Sequence, residues 1–250
     1  MAGHIYIIGM GPGAKEMMTE EAFKAMEKAD VIVGYTVYID LVKDHFPTKE
    51  FFTTPMRQEI ERCRACFDFA LDGKQVAFIC SGDAGVYGMA APVFELLPEY
   101  INKGFSADDI SVIPGVTAAI SGAAVLGAPI NHDFCVISLS DLLTPWEVIE
   151  KRLQAAIMGD FAIALYNPSS KKRHDYLQRA CEIMLAAGAD ENRACGYVEN
   201  IGRDNTKSSV CTLKELKDTS VNMFTTVFIG NSKSEIIEGK LVTKRGYEIL

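Results

Sequence analysis

HIYIIGMGPGAKEMMTEEAFKAMEKADVIVGY, residues 4–35, decides the fold class. Its first six residues are a short apolar run, Gly9-Met10-Gly11-Pro12-Gly13-Ala14 is a turn, and VIVGY at 31–35 is a second apolar run. Between them EEAFKAMEKA has helical period, with Thr19 as its N-cap and Glu20 and Glu21 at the positive end of the helix dipole. Strand, loop, helix and strand make a β-α-β unit, and the alternation recurs through QVAFIC (75–80) and ISVIPG (110–115). The chain is therefore expected to be α/β, with a mostly parallel sheet covered by helices on its faces.

Beyond the small-residue helix VTAAISGAAVLG (116–127), the stretch APINHD (128–133) is rich in turn residues and has no period. It places a boundary between an N-terminal α/β domain, 1–128, and a C-terminal one, 129–250. The second half restarts with FCVISLS (134–140). There follow a helix from Pro145 through WEVIEKRLQAAIM, the strand DFAIALYN (160–167), a helix from about Ser170 to Ala187, and the runs RACGYVEN (193–200) and MFTTVFIGN (223–231).

The 250 residues are 48% apolar and 23% charged, which excludes a disordered or collagenous chain. Lys and Arg number 25 against 33 Asp and Glu, a net charge of −8. No nucleic-acid partner is expected, because a phosphate backbone is held by excess Lys and Arg. No stretch reaches the roughly 18 apolar residues of a membrane span, and seven scattered Cys read as a reducing, cytoplasmic setting. Cys63 and Cys66 lie inside the amphipathic helical segment RQEIERCRACFDFALDG (57–73) and read as structural thiols. The four His lack ligand spacing, so no protein metal site is expected.

Residues 9–14 satisfy G-x-G-x-x-A, the pattern of a dinucleotide fold, but three features turn the reading away from NAD. Pro12 has no N–H to offer a pyrophosphate, VIVGYT ends without an acidic residue for the ribose, and the helix starts too late to receive phosphates. A plain tight turn, or a site for a ligand without phosphate, fits better. Ser81-Gly82-Asp83-Ala84-Gly85-Val86-Tyr87-Gly88 follows QVAFIC directly, at the strand end where open α/β sheets bind ligands. Its glycines admit a ligand close to the backbone, and Asp83 is either a turn residue or a group for a hydroxyl pair or a cation. Pro114-Gly115-Val116-Thr117-Ala118 repeats the arrangement after ISVI, with small residues that leave room for a flat group.

In this order, G-x-G-P-G at 9–13, S-G-D-A-G-V-Y-G at 81–88, P-G-V-T-A at 114–118 and Y-N-P-S at 166–169 resemble the tetrapyrrole methylases that use S-adenosylmethionine. That class has two α/β domains with the cofactor in the cleft between them. VGYTVYIDLV (33–42), SLSDLLTPW (138–146) and YNPSSKKR (166–173) resemble its branch that methylates C17 and contracts the ring of precorrin-3B or cobalt-factor III in cobalamin biosynthesis. Ala84, where the wider family often has Pro, is a departure seen in that branch. The resemblance implies S-adenosylmethionine as cofactor and S-adenosylhomocysteine as product. It implies that Pro12, Gly82, Asp83, Ala84, Val86, Thr117 and Ala118 line the cofactor site from the first half, and Tyr166, Asn167, Asn200 and Thr226 from the second. A cofactor without phosphate also accounts for Pro12.

Methyl transfer from a sulfonium needs alignment more than acid–base chemistry. Ring contraction in this family closes the ring A acetate as a lactone and leaves the C20 meso carbon as an acetyl group, and those steps move protons. Tyr35, Tyr38, Ser140, Asp141 and Thr144, in the branch-like motifs, are the catalytic candidates, each with a structural role as the alternative. For the carboxylates of the macrocycle the candidates are Lys171, Lys172 and Arg173 at an expected helix start, against an ordinary solvated helix face; Arg57 and Arg203, in turns, come second. The family also goes with a homodimer, for which TVYIDLVKDHF (36–46) and CRACFDFAL (63–71) offer apolar helical faces. The alternatives are a methylase of another ring position, a diphthine synthase or rRNA methylase, and a non-catalytic tetrapyrrole- or nucleotide-binding protein.

Overall fold

The computed structural model describes residues 3–170 and 172–247. It divides into two compact units, one ending at Ala118 and the other beginning at Ala119.

In chain order the first unit holds β1 (His4–Gly9), α1 (Glu20–Lys28), β2 (Val31–Tyr35), α2 (Thr36–Val42), β3 (Glu50–Thr54), α3 (Glu59–Leu71), β4 (Gln75–Cys80), α4 (Ala90–Leu96) and β5 (Ile110–Ile113). The strands form one sheet of order β3-β2-β4-β1-β5 in which every pair is parallel. Side chains alternate along a strand, so a sheet covered on both faces needs apolar residues at successive positions. That is why these runs are almost unbroken. Ile5, Ile7, Val31, Val33, Val76 and Phe78 join the core under α3 and α4, whereas Ile8, Ile32, Ala77 and Ile79 join the one under α1 and α2. Thr19 caps α1 as expected, its Oγ1 accepting from the Ala22 amide at 3.1 Å.

The two segments expected to meet a second copy bury much of their apolar surface inside this unit. Cys63, Cys66, Phe67 and Ala70 on α3, and Ile39, Val42 and Phe46 within 36–46, are all buried.

The second unit begins with the body of α5 (Ala118–Leu126) and continues with β6 (Gly127–Ala128), β7 (Phe134–Ser138), α6 (Trp146–Met158), β8 (Ala162–Tyr166), α7 (Tyr176–Ala186), β9 (Ala194–Glu199), β10 (Lys207–Thr212), α8 (Leu213–Lys217), β11 (Thr225–Ile229), β12 (Ser234–Ile237) and β13 (Lys240–Thr243). Its main sheet has the order β10-β9-β11-β8-β7 and is mixed: β7 and β8 are parallel, while β11 runs antiparallel to β8 and β9. The break expected between 128 and 129 falls inside this unit because α5 packs on the second sheet. A Cβ on Gly122 would stand 3.0 Å from Ile201 and Phe228, and one on Gly196 about 3.1 Å from Leu126. APINHD is likewise tied down within the unit: Ala128 lies in β6, which pairs with β13, and Thr243 donates to the Pro129 carbonyl at 2.5 Å.

Candidate active site

Because all five strands of the first sheet are parallel, their carboxyl ends share one edge, and the loops after β1, β4 and β5 meet there. Gly11 and Gly82 exchange backbone hydrogen bonds of 3.0 and 2.7 Å. A Cβ on Gly115 would fall 2.2 Å from the Gly82 carbonyl oxygen and 2.4 Å from that of Gly9. Only chains without side chains cross this closely. Gly11 and Gly82 have left-handed backbones (φ +72° and +70°), which completes the requirement for glycine.

Asp83 is the clasp of this crossing. Its Oδ1 accepts from the Gly85 amide at 2.8 Å and its Oδ2 from the Gly115 amide at 2.9 Å, so one carboxylate fixes both loops. At this edge backbone is left, with half-buried Val86, Thr117 and Ala118 beside it. Pro12 is buried, and Ala84 is fully buried with its carbonyl taken by the Ala90 amide, so both shape the loops from beneath. Tyr35 and Tyr38 stand at the end of the neighbouring β2, edge to face with ring centroids 5.2 Å apart and the Arg62 guanidinium 6.0 Å from the Tyr35 ring. Tyr87, absent from the candidates read from sequence, has an exposed side chain on a left-handed backbone (φ +55°) in the loop after β4. A tyrosine in that conformation is strained, and no local sequence signal announces it.

In the second unit the carboxyl ends of β7, β8 and β9 lie along one edge with the start of β11. Asn167 and Asn200, the residues after β8 and β9, are both left-handed (φ +54° and +53°), a conformation that Asn tolerates. Asn167 donates to Ser138 Oγ at 2.9 Å, which also accepts from the Ser140 amide at 3.2 Å, and Asn200 donates to Glu199 at 3.2 Å. Tyr166 Oη accepts from the Ala119 amide at 2.7 Å, at the start of α5, and Thr226 is buried in β11 opposite Val198. Thr144 is half-buried in the loop after β7.

Asp141 is not an isolated acid. Tyr176 Oη donates a short hydrogen bond to its Oδ2, and Arg173 Nε lies 2.7 Å from its Oδ1 as an ion pair without hydrogen-bond alignment. Burial, and then the bond to Asp141, raise the Tyr176 phenol above its ordinary value. Trp146 packs on Tyr176 at 4.8 Å, and Arg179 stacks 4.0 Å from the Trp146 ring. Sequence reasoning misses Tyr176 because its partner lies 35 residues away.

The basic run does not open a helix. The helix begins at Tyr176, and Ser170 and Arg173 instead close a tight turn with two 3.0 Å backbone hydrogen bonds. Their amides are thereby used, and Arg173 is already paired with Asp141. Lys172 is exposed, and Lys171 lies outside the described residues.

Among the described residues no three His, Cys, Asp or Glu side chains converge on one point. Burial pushes the Cys63 and Cys80 thiols up to about 12 and raises Cys66 well above the ordinary thiol range. Native protein at pH 8 should therefore leave these three unlabelled by a disulfide reagent. The linkage has a sign: the folded thiols stay protonated where unfolded ones ionise near 9, so stability is complete below that pH and is lost as pH rises toward 12. The denaturant midpoint should fall from pH 9 upward.

Residues 4–217 match the family described as Tetrapyrrole (Corrin/Porphyrin) Methylases. The chain belongs to that family. A relative from Salmonella typhimurium strain LT2, named "Probable cobalt-factor III C(17)-methyltransferase", is 44% identical over 97% of this chain and 99% of its own length. The "Precorrin-3B C(17)-methyltransferase" of a Sinorhizobium species is 36% identical over 95% of this chain and 92% of its own. Among solved structures, the methyltransferase CobJ superposes with a TM-score of 0.87 at 34% identity, covering 97% of this chain and all of that one. For a tetrapyrrole methylase the loop crossing at Gly9, Gly82 and Gly115 is the part of the candidate site most visible in the sequence. The Asp141–Tyr176–Arg173 cluster is the least visible. No helix among the described residues is long and apolar enough to cross a membrane.

Proposed function

We propose that this methylase transfers a methyl group from S-adenosylmethionine to C17 of cobalt-factor III and contracts the ring, a step of cobalamin biosynthesis. The observation that carries the reading is the 44% identity, over nearly the whole of both chains, to a relative named for that reaction. The lower identity, 36%, to a relative named for precorrin-3B makes the metal-free ring the second reading.

The first-unit edge suits S-adenosylmethionine. Pro12 removes one amide from the turn and no acidic residue ends β2, which disfavours a dinucleotide, while the glycine crossing exposes backbone to a flat ligand. In this reading the cofactor meets the backbone of residues 82–86, Val86, Thr117 and Ala118 from the first unit, and Tyr166, Asn167, Asn200 and Thr226 from the second. Asp83 acts by holding the loops. The cofactor supplies a methyl group on a sulfonium, already a strong electrophile, so these residues have to hold it in line and keep water away. A cytoplasmic location fits the free cysteines.

Mass spectrometry after incubation with S-adenosylmethionine and each macrocycle tests the reading. Gain of one methyl with a changed visible spectrum is expected for cobalt-factor III. S-adenosylhomocysteine should raise the melting temperature by mass action and NAD should not. Failure to methylate either ring would overturn the assignment.

A homodimer belongs to the same reading, with its contact on Phe52 of β3 and on Ile60 and Phe69 of α3, which line a shallow groove with Arg64 and Asp68. Sedimentation should show a dimer at micromolar concentration, and Ile60→Asp should shift it toward monomer.

A further inference from the structure

The turn from Asn200 to Thr206, between β9 and β10, is tied more tightly than a connection needs. The Asn200 amide donates to the Phe224 carbonyl at 3.1 Å, and the Arg203 amide donates to the Asn200 carbonyl at 3.1 Å. Thr206 Oγ1 donates to the carbonyls of Asn200 (2.8 Å) and Arg203 (2.7 Å). Asn200 and Gly202 both take left-handed backbones, with φ +53° and +69°. This rigid turn carries one long cationic side chain, Arg203, at the strand-end edge where Asn200 and the start of β11 also lie.

Four other arginines have acceptors within the chain. Arg62 donates to Thr54 and Pro55, Arg64 to Glu99 and Arg193 to Asp160 and Gly230, and Arg173 pairs with Asp141. Arg203 differs. Its guanidinium lies 5.0 Å from the Phe224 ring centroid, in cation–π range, and its buried Nε donates to nothing among the described residues. No carboxylate of the described residues pairs with it, although acidic residues outnumber basic ones by 33 to 25. With Nε buried, the guanidinium presents its end, the two Nη groups, and that end matches a carboxylate with two parallel hydrogen bonds.

We propose that Arg203 is a carboxylate-binding residue of the second unit, preorganised by the 200–206 turn and the Phe224 ring to take a ligand carboxylate end-on. The inference rests on the methyl-transfer reading and deepens it, because that reaction brings two carboxylate sources, the acetate and propionate groups of the macrocycle and the amino-acid end of the cofactor. Nothing is transferred at Arg203; it binds and orients.

The test compares wild type with Arg203→Gln, Arg203→Met and Arg203→Lys. The readouts are S-adenosylhomocysteine affinity by calorimetry, cobalt-factor III affinity by absorbance titration, and methyl transfer. Loss of a charged hydrogen-bonding partner should weaken one of the two affinities about 10- to 100-fold in the Gln and Met variants, with Lys in between. The ligand whose affinity falls is the source of the carboxylate. Added salt should weaken wild-type binding of that ligand more than binding by the Gln variant. Met keeps the apolar stem against Phe224, so melting temperatures close to wild type separate lost binding from lost packing. If Arg203→Met binds both ligands as wild type does, the side chain only packs and the proposal is overturned. Wild type that binds the ligands but transfers no methyl group would instead overturn the methyl-transfer reading, and the affinities would still decide for Arg203.

Discussion

Gly115→Ala is expected to lower the melting temperature of the protein by about 6–12 °C and to weaken S-adenosylhomocysteine binding at least tenfold. The cause is steric. The added Cβ would sit 2.2 Å from the Gly82 carbonyl oxygen and 2.4 Å from that of Gly9, so two strand-end loops have to move apart. Forced overpacking of this kind costs about 3 kcal/mol, and in a chain of this length about 2–4 °C accompany each kcal/mol. The displacement also pulls the Gly115 amide from Asp83 Oδ2, which opens the clasp between the two loops. Gly104→Ala is the control. Gly104 is left-handed (φ +88°) and a Cβ added there meets nothing within 4 Å, so alanine costs only the backbone preference, about 1–2 kcal/mol, and cofactor affinity should not change. Calorimetric unfolding and titration of both variants check the contrast. Equal loss of affinity in the two would show that the crossing has no part in binding.

That crossing is legible because it is written in short-range chemistry. Glycines directly after apolar runs announce loops at strand ends, and parallel strands bring those ends together. Thr19 is legible for the same reason, since a cap is satisfied by an amide three residues away. β3 (EFFTT) escapes a pattern-based reading because it is short and its burial depends on lying at the edge beside β2. The unit boundary falls earlier than expected because APINHD looks like a linker, whereas the packing of α5 depends on Ile201 and Phe228, far along the chain. Tyr176 and Arg173 belong to the same class. Their partner, Asp141, is set by the approach of two loops, and a run of basic residues looks alike whether it is solvated or paired.

The pairing of Asp141 changes what its substitution should do. With Tyr176 on one oxygen and Arg173 beside the other, Asp141 ties the loop after β7 to the start of α7. Asp141→Asn should therefore loosen that loop and slow methylation and contraction together. Tyr35 and Tyr38 are different. They are phenols on the strand end next to β4, edge to face with each other, and methyl transfer asks nothing of a phenol beyond shape. Contraction does, because closing a lactone and releasing the meso carbon from the ring move protons, and a positioned acid or base typically contributes about 10²- to 10⁴-fold. Tyr35→Phe or Tyr38→Phe is thus expected to bind S-adenosylhomocysteine as wild type does and to methylate at the parental rate. A methylated, uncontracted ring should then accumulate by mass spectrometry, with contraction slowed by at least about a hundredfold. Phenylalanine keeps the edge-to-face packing, so the comparison isolates the hydroxyl. Contracted product formed at the parental rate by both variants and by the double variant would remove the phenols from the chemistry and leave the proton transfers to the substrate's own carboxylate.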